Sequence, residues 1–240
     1  PKANGGEGWS PYTIDLRLTN WMGYYAAVHT ELDDDFQSLF INSVHEQYDF
    51  LSRHLEKDIL GNHYFEDLKA LVICALFFND ETVLHTALKV FKAECKEEIL
   101  PDGMHFELSP MYHKLIFEGV IRVAVALKDR GLDDHEVDGY LQPMLDAAWS
   151  LEEGLDRIPL FNDAGNNVAK SLQALVSACK RHFDITPEYK SRFVDSGIYI
   201  FKQNDWKLIV DAGQPGPAYI PGHAHCDAMS FELFKAGKPV

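Results

Sequence analysis

The sequence has little of what disulfide-rich, membrane-spanning and nucleic-acid-binding proteins need. Its four cysteines are scattered and form no Cys-x-x-Cys pair, so we expect free, mostly structural cysteines rather than a disulfide framework. No apolar run reaches the length of a membrane-spanning helix. The net charge of −15 does not supply the cationic surface that nucleic acid or an anionic membrane would require. We therefore expect neither nucleic-acid binding nor membrane insertion.

What the sequence does have is abundant apolar material in a helical pattern. The 240 residues are 46% hydrophobic and 25% charged, which is enough for one large domain or two modest ones. Apolar residues recur at helical spacing and predict about seven helices joined by short loops. We expect Gly61 to end one helix as a left-handed cap. Ser109-Pro110 should begin another, with the serine as N-cap and the proline in the first turn.

The pattern changes after Pro187. Alternating apolar residues at Ser196–Gln203 and Trp206–Asp211 predict two strands joined by a turn at Asn204-Asp205. A third strand is predicted around Ala228–Leu233. Three strands are too few for an independent β domain, so we expect the remainder of the sheet to lie beyond residue 240. The predicted fold class is α+β, with a helical domain over residues 1–187 and the beginning of a sheet domain over residues 188–240.

The most informative stretch follows a loop rich in glycine and proline. His223, His225 and Asp227 alternate along it, and a period of two would place all three side chains on one face of an extended segment. Packing alone would favour valine or isoleucine at such positions. We therefore interpret the stretch as functional. The alternative is that one histidine is a solvated edge residue and Asp227 is a turn acid.

Three further polar sites lie in the helical part. Asn62-His63 falls between two helices, where Asn62 as a cap and His63 as an exposed first-turn residue would be a sufficient explanation. Tyr112 falls in the first turn after Ser109, where the helix dipole should make a phenolate easier to form. Its simpler interpretation is a core aromatic residue. The third site, the Leu160–Asp163 loop, is most simply a turn.

Together these pieces resemble the heparinase II/III-like polysaccharide lyases, which include oligoalginate lyase-like proteins. The resemblance implies an incomplete (α/α) toroid of antiparallel helix pairs, followed by the start of an antiparallel β-sandwich. It runs from about residue 9 to the end of the chain. The matching residues are Arg17 with Asn20-Trp21, His54-Leu55-Glu56, Gly61-Asn62-His63, Glu107-Leu108-Ser109-Pro110, Tyr112-His113, Asn162-Asp163, Asp195-Ser196-Gly197, Asp211-Ala212-Gly213, Gly222–Asp227 and Ser230–Leu233.

The resemblance also implies a reaction, β-elimination at a uronic acid within a polysaccharide. Asn62 and His63 match the pair that neutralises the substrate carboxylate, as hydrogen-bond donors to developing enolate charge. Tyr112 matches the acid that protonates the leaving O4 and, for one substrate stereochemistry, also serves as base. His223 matches the base that removes the C5 proton from the opposite face. We expect these four side chains to converge on one cleft.

The same matched motifs supply candidates for substrate contact. Arg17 and Arg53 are candidate contacts for substrate carboxylates, with a structural ion pair as an equally open alternative. Glu107 and His113, which flank Tyr112 in its motif, are further substrate-binding candidates. The expected partner is an acidic polysaccharide or oligosaccharide, and no organic cofactor is expected. The alternatives are a glycan-binding or polysaccharide-assembly protein without turnover, and a helical scaffold without a ligand.

The sequence supports limited expectations about metal binding and the cellular compartment. His225 matches a ligand of a structural zinc ion, whose other ligands we expect beyond Val240, and Asp227 is expected to orient a neighbour. The chain begins at Pro1 without an initiating methionine, so the lack of a visible signal peptide does not exclude export. The resemblance favours a periplasmic or secreted protein, whereas unpaired cysteines favour the cytoplasm. The sequence leaves the oligomeric state open.

Overall fold

The computed structural model describes residues 6–219, 222–225 and 229–240. It divides into two compact units, an N-terminal unit of Pro1–Ala93 and a C-terminal unit of Glu94–Val240. Helices come first and an antiparallel sheet follows, in the order that the sequence predicts. The predicted domain boundary at residue 187 stays a prediction. Among the described helices, none is both long enough and apolar enough to cross a membrane, and the compartment stays a prediction as well.

The N-terminal unit is a set of packed helices, two of which begin at an aspartate cap. The side chain of Asp33 accepts the Phe36 N–H at 2.8 Å, and that of Asp80 accepts the Val83 N–H at 3.0 Å. α1 packs against both α2 and α3. The helices are α1 (Pro11–Val28), α2 (Asp34–Leu51), α3 (Gly61–Phe78) and α4 (Glu81–Glu98), the last of which continues past Ala93. Their shared core is formed by Ile14, Leu18, Val44, Leu51, Phe65, Leu68, Val72 and Phe91.

One predicted helix boundary in this unit is wrong. α2 ends at Leu51, ten residues before Gly61, and a connection of turns follows it. The backbone N–H of Glu56 in that connection donates to Asp67 Oδ2 at 2.7 Å, a partner that a continued helix would not give it. Gly61 does adopt a left-handed conformation, with φ 55°, but it begins α3 rather than ending α2.

The helices of the C-terminal unit show the predicted cap at Ser109. Its hydroxyl accepts the Tyr112 N–H at 3.5 Å and Pro110 is the first helical residue, as the sequence predicts. Residues 135–152 form two helices rather than one continuous helix. Pro143 lacks the N–H that would bond residue 139, so a helix must restart in front of it. The helices are α5 (Pro110–Asp129), α6 (His135–Asp138), α7 (Leu141–Glu152) and α8 (Leu172–Phe183).

The sheet has five antiparallel strands in sequence order. The turn predicted at Asn204-Asp205 joins two of them, and Asn204 adopts φ 55°. The third predicted strand begins at Ser230 in the described chain, and the two short outer strands were not predicted. The strands are β1 (Arg192–Phe193), β2 (Ile198–Gln203), β3 (Trp206–Asp211), β4 (Ser230–Lys235) and β5 (Lys238–Pro239).

The two faces of the sheet differ in what they contact. The inner face packs on α7 in a buried cluster formed by Met104, Ala147, Leu151, Phe161, Phe193, Ile198, Ile200, Ile209 and Phe234. Lys207 on this face donates to the carbonyls of Leu151 and Glu153 at the end of α7, and burial lowers its pKa to about 7. On the outer face, Phe201 and Phe231 are 58% and 65% exposed. Such an apolar outer face is what the first layer of a sandwich would present.

Candidate active site

Tyr112 and His223 form a stacked pair in the C-terminal unit. Their ring centroids are 3.9 Å apart and the ring planes differ by 12°. Tyr112 comes from the first turn of α5, and His223 comes from the loop between β3 and β4. Both residues are half-buried, so both remain partly accessible to solvent. The structure therefore brings together two of the four predicted catalytic side chains.

Glu107 holds the histidine of this pair. Its Oε2 lies 2.7 Å from His223 Nδ1, and the Glu107 side chain is only 4% exposed. This hydrogen bond and the carboxylate charge raise the pKa of His223 against the opposing effect of burial. A carboxylate on Nδ1 keeps the ring proton at that nitrogen, so Nε2 carries the lone pair of the neutral imidazole.

A tight turn presents Glu107 to the histidine. The Leu108 N–H donates to the His105 carbonyl at 3.0 Å, and Leu108 adopts a left-handed φ of 55°. The Phe106 N–H donates to the Glu98 carbonyl at 2.8 Å. A leucine in this conformation is strained and persists only where its surroundings fix it. The turn of residues 105–108 is therefore a rigid support for one carboxylate.

His113 belongs to this support, and its role in substrate binding stays a prediction. It is fully buried, its Nδ1 accepts the His105 N–H at 3.2 Å, and its Nε2 donates to the Met144 carbonyl at 3.0 Å. Burial lowers its pKa to about 3, so the ring is neutral at ordinary pH. With both ring nitrogens engaged, His113 helps to fix the turn of residues 105–108. Sequence reasoning missed Glu98 and His105, a buried pair at 3.2 Å behind the same turn.

The surroundings of Tyr112 raise its pKa, whereas the helix dipole was expected to lower it. Burial first, and then the charges of Asp163 and Glu107, raise the pKa of the phenol, and a hydrogen bond to Asp163 adds to the effect. The expectation that a phenolate would form easily here is therefore wrong. Negative charge next to the ring outweighs the partial positive charge of the helix start. At neutral pH Tyr112 is a protonated phenol.

A similar trio lies in the N-terminal unit. His63 stacks on Tyr12 with centroids 4.3 Å apart and planes 27° apart, and its Nδ1 lies 3.2 Å from Glu56 Oε2. His63 is half-buried, so it is not the exposed first-turn residue of the simpler interpretation. Asn62 beside it is 7% exposed. That Asn62 and His63 share one cleft with Tyr112 and His223 stays a prediction.

Buried acids support the N-terminal trio. Asp67, which accepts the Glu56 N–H, shares a hydrogen bond with Asp15 on α1. Asp15 is fully buried, and burial raises its pKa to about 10, while burial raises that of Asp67 to about 7. Lys69 and Glu66 form a buried ion pair in the same cluster. Asp15 is therefore a neutral acid at ordinary pH.

The two candidate arginines already have protein partners. Arg17 Nε donates to Gln47 Oε1 at 2.6 Å, and its Nη2 donates to the Gly8 carbonyl at 2.8 Å. Arg53 is exposed and forms an ion pair with Asp49 one turn earlier on the chain. Their roles in substrate binding stay predictions. Arg53 has the greater freedom to reach a ligand, since surface ion pairs are weak.

The histidine stretch does not form the predicted strand. The described part, residues 222–225, is a loop, and β4 begins only at Ser230. The loop is bonded to Asn162-Asp163 instead of to a strand, because the His223 carbonyl accepts the Asp163 N–H at 3.2 Å. Asp227 lies outside the described residues. Nothing in this geometry places two histidines on one strand face.

The zinc prediction for His225 stays a prediction. His225 is an exposed residue, and its backbone N–H donates to Asn162 Oδ1 at 3.4 Å. Within residues 6–219, 222–225 and 229–240, no group of three histidine, cysteine, aspartate or glutamate side chains could hold a metal ion. A structural zinc ion needs about four such ligands. The described residues alone therefore do not fit a zinc site.

Comparison with known families identifies the class of protein that this fold and site define. The model of the heparinase II/III N-terminus matches residues 2–191, and the model of the heparinase II/III-like C-terminal region matches residues 185–240. The chain therefore belongs to the heparinase II/III family. This membership is shown by nearly the whole chain rather than by one motif.

Particular relatives sharpen the comparison. A heparin-sulfate lyase of Pedobacter heparinus is 27% identical over 226 residues, which cover 83% of this chain and 33% of that protein. The crystal structure of heparan sulfate lyase HepC from Pedobacter heparinus matches with a TM-score of 0.70 and 22% identity, over 96% of this chain and 40% of that one. A crystal structure of heparinase III matches with a TM-score of 0.76 and 17% identity, over 100% of this chain and 43% of that one.

These comparisons confirm the predicted fold class, α+β with an (α/α) toroid-type helical part and the start of an antiparallel sheet. At such low identity the structural likeness shows the fold alone. The chain spans about one third to two fifths of the length of these relatives.

Proposed function

We propose that the protein is a polysaccharide lyase that cleaves an acidic, uronic-acid-containing polysaccharide by β-elimination. Family membership and the heparin-sulfate and heparan sulfate lyases among its relatives support this proposal. The observation that carries it is the stacked pair of Tyr112 and His223, with Glu107 on the histidine. Since the chain spans only part of its relatives, the activity is proposed for the protein that contains it.

In this proposal His223 is the base. Its Nε2 removes the C5 proton, which the neighbouring uronate carboxyl group has made acidic. The ring then becomes an imidazolium, and the Glu107 carboxylate at 2.7 Å stabilises the new charge. The raised pKa of His223 makes it a stronger base than an unassisted imidazole.

Tyr112 is the acid of the same step. Its raised pKa keeps the phenol protonated at neutral pH, so the proton is available to the O4 leaving group as the C4–O4 bond breaks. C4 and C5 are adjacent carbons of one sugar ring. An acid and a base that serve them must therefore lie close together, as Tyr112 and His223 do. Rings in contact at 3.9 Å must separate as the sugar enters if each is to act on an opposite face of it. The products are a double bond between C4 and C5 and a free hydroxyl on the leaving sugar.

The substrate carboxyl group is assigned to Asn62 and His63. The Asn62 amide would donate to the developing enolate oxygen. With Glu56 on Nδ1, the Nε2 of His63 carries a proton only when the ring is an imidazolium. His63 would donate to the same carboxyl group through that proton.

The experiment incubates the protein with heparin, heparan sulfate and alginate and follows the ultraviolet absorbance of an unsaturated uronate. We expect product with at least one polymer and its loss in Tyr112→Phe, with the circular dichroism spectrum unchanged. Tyr140→Phe is the matched control, because Tyr140 is a half-buried tyrosine of the same unit outside the pair. Absence of product with every polymer would overturn the proposal. Glycan binding that survives Tyr112→Phe without product would favour the glycan-binding alternative.

A further inference from the structure

We propose that Asn162 and Asp163 are positioning residues of this site, and that they clamp together the segments that carry Glu107, His223 and Tyr112. The positioning role rests on the proposed lyase function, whereas the clamp itself is defined by hydrogen bonds. In the sequence, Asn162-Asp163 belongs to the motifs that resemble the family and its loop is most simply a turn, but neither residue is assigned a role. The structure gives the groups of the dipeptide partners on three functional segments.

The Asn162 side chain joins two of the segments. Its Nδ2 donates to the carbonyls of Glu107 and Leu108 at 3.4 and 3.2 Å, and its Oδ1 accepts the His225 N–H at 3.4 Å. The residue is 6% exposed, so water does not readily replace these partners. One amide therefore links the turn that presents Glu107 to the loop that presents His223.

Asp163 extends the clamp to the third segment. Its backbone N–H donates to the His223 carbonyl at 3.2 Å, and its carboxylate accepts the Tyr112 hydroxyl. Asp163 is exposed and Glu107 is buried, so the stacked pair has one exposed and one buried carboxylate partner. The hydrogen bond fixes where the phenol proton points before substrate arrives.

The loop that carries the clamp is itself anchored. Phe161 is buried in the core cluster under the sheet. Arg157 forms hydrogen bonds to both carboxylate oxygens of Glu232 on β4, and the same carboxylate accepts the Leu160 N–H at 3.1 Å. Asn162 adopts a left-handed φ of 51°, which asparagine tolerates better than most residues. An anchored loop can hold its partners in place.

The strained turn that presents Glu107 needs such a partner. Leu108 also has a left-handed φ, and its carbonyl is one of the two that Asn162 holds. Without that amide the Glu107 and Leu108 carbonyls would lose this donor, and the turn could relax. Glu107 would then move relative to His223, and even a displacement of about 1 Å can cost about 100-fold in rate.

The first experiment compares Asn162→Gly with Asn167→Gly. Both positions have left-handed φ values, 51° and 63°, so glycine preserves the backbone at each while removing an amide. Asn167 is exposed. We expect Asn162→Gly to lower kcat by about 10- to 100-fold and to lower the His223 pKa seen by imidazole NMR, because Glu107 no longer holds the ring. Asn167→Gly should change neither.

The second experiment compares Asp163→Asn with Asp133→Asn, an exposed aspartate of the same unit that does not act on Tyr112. NMR of tyrosines labelled with carbon-13, assigned with Tyr112→Phe, follows the phenol titration. We expect the pKa of Tyr112 to fall in Asp163→Asn, since a carboxylate that raises it has been neutralised. Asp133→Asn should leave the titration in place.

The two titrations need no turnover, so the clamp and the proposed function fail separately. If no polymer is cleaved but both titrations shift as expected, the lyase function is wrong and the clamp stands. If polymer is cleaved and both variants match their controls in kcat and titration, the clamp is wrong and the lyase function stands. A loss of melting temperature in Asn162→Gly without a change in the His223 titration would assign Asn162 to stability alone and overturn its positioning role.

Discussion

The two compact units contain the same trio of side chains in two versions. In each, a histidine stacks on a tyrosine and its Nδ1 faces a glutamate. The C-terminal version has its rings 3.9 Å apart and its Nδ1–Oε2 contact at 2.7 Å, whereas the N-terminal version has 4.3 Å and 3.2 Å. The C-terminal histidine side chain is 24% exposed and the N-terminal one is 34% exposed. One trio is tight and the other is looser and more open.

The difference follows from what holds each glutamate. Glu107 lies on a turn fixed by a buried histidine and by the Asn162 amide, and its side chain is 4% exposed. Glu56 lies in a connection between helices and its side chain is 12% exposed. A tight trio suits a proton-transfer group, whose geometry must be exact within a fraction of an ångström. A more open trio suits contact with a ligand.

Replacing the two histidines should separate these roles most strongly. His223→Ala removes the proposed general base, and we expect a loss of kcat near the upper end of the usual range of about 10²- to 10⁴-fold. His63→Ala removes one proposed donor to the substrate carboxyl group, for which a loss of about 10²- to 10³-fold in kcat is expected. Initial rates at saturating polymer measure both. A loss in His63→Ala that equals or exceeds the loss in His223→Ala would refute the division of roles.

The glutamates should differ in how they move the pH profile. Because Glu107 raises the pKa of His223, Glu107→Gln should lower that pKa, and the limb on which the base must lose its proton should move to lower pH. The plateau rate should fall, since a weaker base remains. Glu56→Gln should leave this limb in place. A profile of kcat against pH measures the shift, and an unmoved limb in Glu107→Gln would contradict the assignment of His223 as base.

The buried acid beneath the N-terminal trio should reveal itself in stability. Asp15 has a pKa of about 10 in the fold against 3.8 unfolded, so folding above pH 3.8 requires proton uptake. The contribution of protonated Asp15 to the free energy of unfolding is fully present below the unfolded pKa and is lost as pH rises toward the folded pKa. Asp15→Asn needs no proton, and it should raise the melting temperature at pH 7–8 by about 2–4 °C for each kcal/mol gained.

The control for this prediction is Asp58→Asn, an exposed aspartate of the same unit. We expect the gain in Asp15→Asn to shrink as the pH falls toward 4, whereas Asp58→Asn should show little change. A destabilised Asp15→Asn at pH 8 would mean that the acid is ionised and paired in the fold.

The smallest effect is expected from the arginines of the N-terminal unit. Arg53→Ala removes an exposed ion pair, which contributes at most about 0.5 kcal/mol to stability. Arg17→Ala removes two hydrogen bonds and a contact over the Trp21 ring, so it should lower the melting temperature more. If Arg53 binds the polymer, KM should rise in Arg53→Ala while the melting temperature stays constant. An unchanged KM would leave Arg53 with its structural ion pair alone.

Local features of the fold were predictable from the sequence, and long-range features were not. The Ser109-Pro110 start of α5 and the Asn204-Asp205 turn depend on a few neighbouring residues, and both are confirmed. The predicted end of α2 was wrong because the helical period of its apolar residues continues beyond Leu51. The helix stops there, and the Glu56 N–H instead donates to Asp67 on α3. Periodicity records apolar side chains and not the backbone partners that compete with a helix.

The candidate site shows the same limit. Family motifs indicated Tyr112 and His223, but their stacking and the Glu107 contact join positions more than a hundred residues apart. Nothing in the local sequence shows that His113 is buried. The pKa of Tyr112 was expected in the wrong direction because the helix start was visible in the sequence and the approach of Asp163 was not.

The outer face of the sheet has a practical consequence. Phe201 and Phe231 present their rings to water on neighbouring parts of one surface, together with Tyr199, Val210 and Leu233. Contiguous apolar surface of this kind promotes self-association and aggregation. Light scattering from the isolated 240-residue chain should therefore rise steeply with concentration, and a longer protein in which another layer covers these rings should stay monodisperse.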